Sequence, residues 1–162
     1  MEDGIGEECG ICGVRLKDSG ADRKIVPVSL ITMNYVQNSR GQKSSGIVVY
    51  NPLKPEDTFN RETMIRYKGL GMVSEVFMFS QQAKMRSIIE DCQGIAGVGH
   101  DRYSTSGKGR CDFLATSDSA EDETQPFLRR HARPEKRMAL SYNGNMANYE
   151  AMCNAMKRRG YS

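Results

Sequence analysis

The sequence has no long apolar run. Its hydrophobic stretches are only a few residues each, far short of the roughly 20 that a membrane-spanning helix needs. It has no large excess of charge of one sign either: 23 lysines and arginines against 20 acidic residues leave a net charge of +3, too balanced to imply a nucleic acid or an anionic membrane as partner. A secretory signal is missing as well. Residues 1–8, MEDGIGEE, are acidic, where a signal peptide carries positive charge and then an apolar segment. A cytoplasmic protein is expected. The five cysteines are odd in number and unevenly placed, at 9, 12, 92, 111 and 153, which does not describe a secreted disulfide framework and implies reduced thiols. Internal repeats and low-complexity segments are absent.

What is present suits one globular domain. A chain of 162 residues is long enough to hide about 70% of its unfolded surface. Residues 9–16 (CGICGVRL) predict a short buried strand, closed by the turn-rich Lys17-Asp18-Ser19-Gly20. Residues 27–38 predict a helix, with Pro27 in its first turn and an apolar stripe of Val28, Ile31, Met33, Tyr35 and Val36. Residues 45–50 and 63–67 predict two strands able to pair as a hairpin. Residues 80–92 predict a surface helix ending near Gly94, and residues 95–103 and 138–143 two further strands. Residues 108–137, with two prolines and scattered apolar positions, predict a long loop. The last helix is the clearest, with Asn148 placed to cap it, Tyr149, Met152, Cys153 and Met156 on one face, Lys157 to Arg159 at its end and Gly160 beyond. Strands and helices mix throughout, so the class is α+β or α/β.

The segment richest in chemistry is Glu8-Cys9-Gly10-Ile11-Cys12-Gly13, which sets a thiol at the head of a strand among small neighbours that let a substrate approach. A cysteine in an apolar strand is ordinarily an inert core group. The spacing of Cys9 and Cys12 also fits a metal half-site or a redox pair, but zinc needs four ligands and the other thiols, His100 and His131 stand singly. The basic run at 129–137 lacks interleaved aromatics and reads as a solvated loop. Gly107-Lys108-Gly109-Arg110 is too short for a phosphate loop.

Four more segments follow in order: Arg40-Gly41-Gln42-Lys43-Ser44-Ser45-Gly46-Ile47, Lys68-Gly69-Leu70-Gly71-Met72-Val73-Ser74-Glu75-Val76-Phe77, Gly97-Val98-Gly99-His100-Asp101-Arg102-Tyr103-Ser104-Thr105-Ser106-Gly107, and the pair Gln125-Pro126-Phe127 and Asn143-Gly144-Asn145. With the cysteine segment they resemble the signature stretches of the amidophosphoribosyltransferase family, in its glutamine-hydrolysing, class II amidotransferase domain. The stretch from Lys68 is the most discriminating, since other class II amidotransferases do not share it. The resemblance implies an α+β fold of the N-terminal-nucleophile hydrolase type, a four-layer α-β-β-α sandwich.

It also implies a division of labour. Glutamine hydrolysis needs a nucleophile, a base, donors for the oxyanion and a clamp on the amino-acid end of the substrate. Cys9 matches the nucleophile, with its own α-amino group as base once residues 1–8, the implied leader, are removed. A free α-amine has a pKa of about 7.7 to 8.0, close to working pH. The Asn143 side chain and the Gly144 backbone N–H match the oxyanion hole, although Asn-Gly alone is most often a plain turn. Arg102 matches the residue that binds the glutamine carboxylate, a task suited to a planar fork of donors; a structural salt bridge is its bland alternative. Tyr103, Ser104 and Arg40 are carried with it as substrate-binding positions. His100 invites a Cys-His reading, but in the resemblance it is structural.

Residues 9–162 are then the glutaminase domain, with glutamine as substrate and a phosphoribosyltransferase domain or subunit as partner. The resemblance leaves room for a homo-oligomer. No metal or other cofactor is implied in this domain; Mg2+ is expected only with the phosphoribosyltransferase half. Cys12 and Tyr142 stand where the family more often has an apolar residue and a histidine. The family's domain continues past the last helix into a Ser-Asp-Thr-Glu segment and then the phosphoribosyltransferase half, neither of which these residues contain. The expectation is a fragment, a split subunit or a degenerate copy, and the alternatives to the preferred reading are a free-standing glutaminase subunit of another synthase and a non-catalytic glutamine-binding scaffold.

Overall fold

A computed structural model describes residues 9–17, 20–37, 42–52, 63–103, 124–129, 136–143 and 148–160. The described elements, in chain order, are β1 (Gly10–Arg15), α1 (Ile25–Gln37), β2 (Gln42–Tyr50), β3 (Met64–Leu70), α2 (Val73–Val76), α3 (Gln82–Asp91), β4 (Ala96–Tyr103), β5 (Phe127–Arg129), β6 (Met138–Leu140) and α4 (Tyr149–Arg158). The class is α+β, because every described strand pair is antiparallel: β1, β4, β2 and β3 form one sheet in that order, and β5 and β6 a second. The expected β2–β3 hairpin is present, with Ser44 opposite Leu70 at one end and Tyr50 opposite Met64 at the other. No described helix is long and apolar enough to cross a membrane.

Alternation along the strands gives the large sheet two distinct faces. Cys12, Gly99, Ile47 and Tyr67 lie side by side on one face, while Ile11, His100, Gly46 and Lys68 lie on the other. The first face is the helix-covered one. Val26, Leu30 and Ile31 of α1 pack there with Ile47 and Val49, joined by Val73, Val76 and Phe77 around α2. Burying each such aliphatic side chain contributes about 1.5–3 kcal/mol. Helix α1 comes this close because β4 presents glycines to it: a Cβ on Gly99 would fall 2.6 Å from both Asn34 Oδ1 and Cys12 Sγ, and one on Gly97 would fall 2.7 Å from Leu30 Cδ1. The Gly-Val-Gly of β4 is the seat of a helix.

The stretch 68–77 closes the same side. Lys68, Gly69 and Leu70 extend β3 beyond the expected limit at Tyr67, and the chain then enters α2, whose Glu75 carboxylate accepts the Met72 N–H at 2.8 Å. Phe77 is fully buried, and its ring lies 5.6 Å from that of Tyr67.

Five expectations need correction. Strand β1 is not a buried strand: it lies at the edge of the sheet, and Cys12 is its one buried residue. The buried stripe of α1 is Val26, Pro27, Leu30, Ile31 and Asn34, whereas Val28, Met33, Tyr35 and Val36 are exposed. The helix is apolar nearly all round, and the residue that completes its buried face is a polar one; Tyr35 leans on Phe79 instead of entering the core. Strand β5 lies inside the segment read as loop. Strand β6 ends at Leu140, short of Asn143. Asn148 occupies the N-cap of α4 but makes no side-chain capping bond.

Candidate active site

The two cysteines of the first motif are separated by the pleat. Cys12 points under α1, where its thiol donates to Asn34 Oδ1 at 3.0 Å. The same Asn34 donates through Nδ2 to Ser45 Oγ at 3.3 Å and to the Gly46 carbonyl at 3.2 Å. Burial, reinforced by the nearby Asp101 charge and opposed by a bond from the Gly99 backbone, pushes the Cys12 thiol up to about 11. It is a neutral core group at neutral pH, beneath α1 and away from the face toward which Cys9 alternates.

Cys9 continues the alternation of Ile11 and Gly13 by one residue and so belongs to the opposite face, half-buried, with a free thiol. That alternation argues against a shared metal half-site or a Cys9–Cys12 redox pair, since such a pair needs both sulfurs on one side. The small neighbour also has another use than expected. A Cβ on Gly10 would fall 2.5 Å from Gln37 Oε1, so the missing side chain makes room for the end of α1.

The register leads Arg102 toward Cys9. Gly10 pairs with Asp101, so Cys9 and Arg102 are the next positions outward on neighbouring strands. Arg102 is half-buried, and among the described residues it is in no ion pair. Ser44 is opposite Arg102 on the other side, and His100 follows two residues along the same face.

This face holds buried polar atoms without good partners. Among the described residues, Ser44 Oγ and both ring nitrogens of His100 are buried with no hydrogen bond of normal geometry, a condition rare enough in folded proteins to need a reason. Burial pushes His100 down to about 4; the Arg102 charge adds to this, and the backbone of Tyr142 beside the ring opposes it. A ring neutral at pH 7 but this weakly basic makes a poor acceptor for a thiol proton, which agrees with a structural His100.

The contact between His100 and the Tyr142 backbone brings the exit of β6 over the same face, and with it the exposed Asn143. The segment before β5 is fixed there too. Lys68 Nζ donates to the Thr124 carbonyl at 3.0 Å, and a Cβ on Gly46 would fall 2.7 Å from the Gln125 carbonyl oxygen and 3.1 Å from Pro126 Cδ. Lys68 and Gly46, from two of the recognised motifs, therefore join the second sheet to the first. Gln125 holds Tyr142 directly: its Nε2 donates to the Tyr142 carbonyl at 3.1 Å, and the Tyr142 N–H donates to its Oε1 at 2.6 Å. Sequence reasoning noted Gln125 within a motif but gave it no task, and the tasks of Asn34, Lys68 and Gly46 were likewise not anticipated.

Of the remaining candidates, Tyr103 ends β4 opposite Gln42. Arg40, Ser104, Gly144 and residues 1–8 lie outside the described residues. The structure thus puts Arg102 and His100 on one face with the Tyr142 backbone beside the His100 ring, leads Cys9 toward that face from the end of β1, and sets Cys12 apart under α1.

No family model matches the sequence. Individual proteins do. The chain is 31% identical over 157 residues to an amidophosphoribosyltransferase from Lacticaseibacillus casei, an alignment covering 97% of this chain and 64% of that protein. It is 26% identical over 161 residues to the amidophosphoribosyltransferase of Methanothermobacter thermautotrophicus, covering 99% of this chain and 27% of the relative. With the human amidophosphoribosyltransferase it shares 29% identity over 158 residues, 97% of this chain and 26% of that protein. The chain spans about a quarter of the length of most of the curated relatives it matches.

Proposed function

We propose, on the premise that the chain is a homologue of the amidophosphoribosyltransferases over nearly its whole length, that it is a glutamine-hydrolysing domain with Cys9 as nucleophile. The thiol of Cys9 attacks the side-chain amide carbon of glutamine and its proton passes to the α-amine of the same residue. The tetrahedral oxyanion is held by the Asn143 side-chain amide and the Gly144 N–H, and collapses to a thioester with release of ammonia. Water then attacks the thioester, giving glutamate and restoring the thiol. Arg102 holds the substrate carboxylate, with Tyr103, Ser104 and Arg40 around it.

The observation that carries this reading is the register of β1 on β4, which pairs Gly10 with Asp101 and, continued by one residue, leads Cys9 toward Arg102 on the face away from α1. The identity of the base follows from elementary chemistry. While Glu8 remains attached, the Cys9 nitrogen is a planar amide with a delocalised lone pair, unable to take a proton at neutral pH. With His100 pushed down to about 4, the face offers no better acceptor among the described residues than the amine that cleavage after Glu8 would free. The two sheets are read as the inner layers of the four-layer sandwich, with α1 to α3 as one outer layer. The ammonia is taken to serve a phosphoribosyltransferase domain or subunit, forming 5-phosphoribosylamine for purine synthesis in the cytoplasm.

The test is direct. The protein should convert glutamine to glutamate and ammonia, and a glutamine-mimicking electrophile should label Cys9 and block that activity. Labelling confined to another cysteine, or no hydrolysis by protein whose first residue is Cys9, would contradict the reading.

A further inference from the structure

The β5–β6 ladder stops one position short of Pro126. Phe127 pairs with Leu140, Leu128 with Ala139 and Arg129 with Met138. The same register continued outward would set Pro126 opposite Ser141 and Gln125 opposite Tyr142. Pro126 has no N–H to give, so the ladder cannot pass through it. At the next position the pairing resumes by another means: the side-chain amide of Gln125, which has the donor and acceptor of a peptide group, takes the place of its backbone. It donates from Nε2 to the Tyr142 carbonyl at 3.1 Å and accepts the Tyr142 N–H on Oε1 at 2.6 Å.

The residue so held immediately precedes Asn143. The holder is itself anchored, because the Thr124 carbonyl accepts from Lys68 Nζ at 3.0 Å and the Gln125 carbonyl and Pro126 ring close over Gly46. A continuous path therefore runs from the sheet carrying Cys9 and Arg102, through Lys68 and Gly46, to Gln125 and the backbone leading into Asn143. We propose that Gln125 is a positioning residue, whose two-point clamp on Tyr142 fixes the backbone that leads into Asn143 and so the oxyanion donors that begin there. This rests on the reading above, in which those donors stabilise the tetrahedral intermediate. Such donors work only within about 2.7–3.1 Å of the developing oxyanion, and a displacement of about 1 Å costs on the order of 100-fold in rate.

The clamp predicts a kinetic signature distinct from a loss of folding. Gln125→Met keeps the side-chain length and removes both bonds. In the full chain it should lower kcat for glutamine hydrolysis by about 10- to 100-fold with KM changed by less than about threefold, as for an interaction made in the transition state. Alkylation of Cys9 by iodoacetamide needs no oxyanion donor and should stay within about twofold of wild type, since thiolate character and access alone govern it. Gln125→Glu keeps the acceptor and loses the donor until it is protonated, so its deficit relative to wild type should shrink as pH falls from 7 toward 5. Wild-type hydrolysis by Gln125→Met overturns the proposal, as does a parallel fall of hydrolysis and alkylation, which marks a merely structural role. If the wild-type chain hydrolyses no glutamine, the glutaminase reading itself fails, and the role of Gln125 falls with it.

Discussion

The two faces of the β1–β4–β2–β3 sheet are built from the same strands, often from adjacent residues, and they differ in how their polar groups are placed. On the face under α1, Asn34 gathers the Cys12 thiol, the Ser45 hydroxyl and the Gly46 carbonyl into one bonded group, so a buried polar cluster is compatible with a close-packed core. On the other face Ser44 Oγ and the His100 ring are buried without good partners among the described residues, and the half-buried Arg102 is in no ion pair among them. Strand alternation assigns Cys12 to the first side and Cys9 to the second, and a sequence pattern that treats them as a pair misses this.

The largest effect that could break the comparison is at the thiols. Cys9→Ala should abolish glutamine hydrolysis and labelling by a glutamine-mimicking electrophile, a loss of more than about 1,000-fold for a covalent nucleophile, whereas Cys12→Ala should retain both and instead lower the melting temperature. Loss of activity on Cys12→Ala alone, measured on folded protein, would reverse the roles of the faces.

The next effect concerns His100, whose acidity in the fold gives a stability signature with a definite sign. Unfolded, the ring takes up a proton near its ordinary 6.5; folded, burial delays this to about 4. The unfolded state therefore binds more protons in that interval, and the contribution is fully present above pH 6.5 and is lost as pH falls toward 4. The span corresponds to as much as about 3 kcal/mol. Denaturant unfolding between pH 7 and 4 should show this slope in wild type and its reduction in His100→Gln; equal slopes would mean the ring is solvated in the folded protein.

A smaller effect sharpens the open face. Arg102→Lys should raise KM for glutamine by about 10- to 100-fold, because a point ammonium does not reproduce a bidentate clamp. Initial-rate kinetics decide it, and an unchanged KM would leave Arg102 with a structural role.

Much of the scaffold is visible in the sequence, and the gaps have physical causes. Strands β1, β2 and β4 and helix α3 fall within a few residues of their expected limits, because alternation and helical periodicity are strong over six residues or more. The position of α1 is equally plain but its inward face is not: the residue that completes the buried stripe is Asn34, which no apolar pattern selects. Helix α2 has four residues and β5 three, too few for a period to show, and β5 follows Pro126 and runs into basic residues that read as loop. For the candidate site, alternation alone puts His100 and Arg102 on one face and splits Cys9 from Cys12. The Gln125 clamp is invisible in this way, since it joins residues 17 apart through a side chain imitating a peptide.

The measurement that tests the account most directly is the intact mass of an active preparation, followed by peptide mapping after electrophile labelling. If Cys9 on the open face acts through its own α-amine, active protein lacks residues 1–8, begins at Cys9 and carries one label on that residue. Active protein that retains residues 1–8 would contradict the account, because an acylated Cys9 nitrogen cannot be the base.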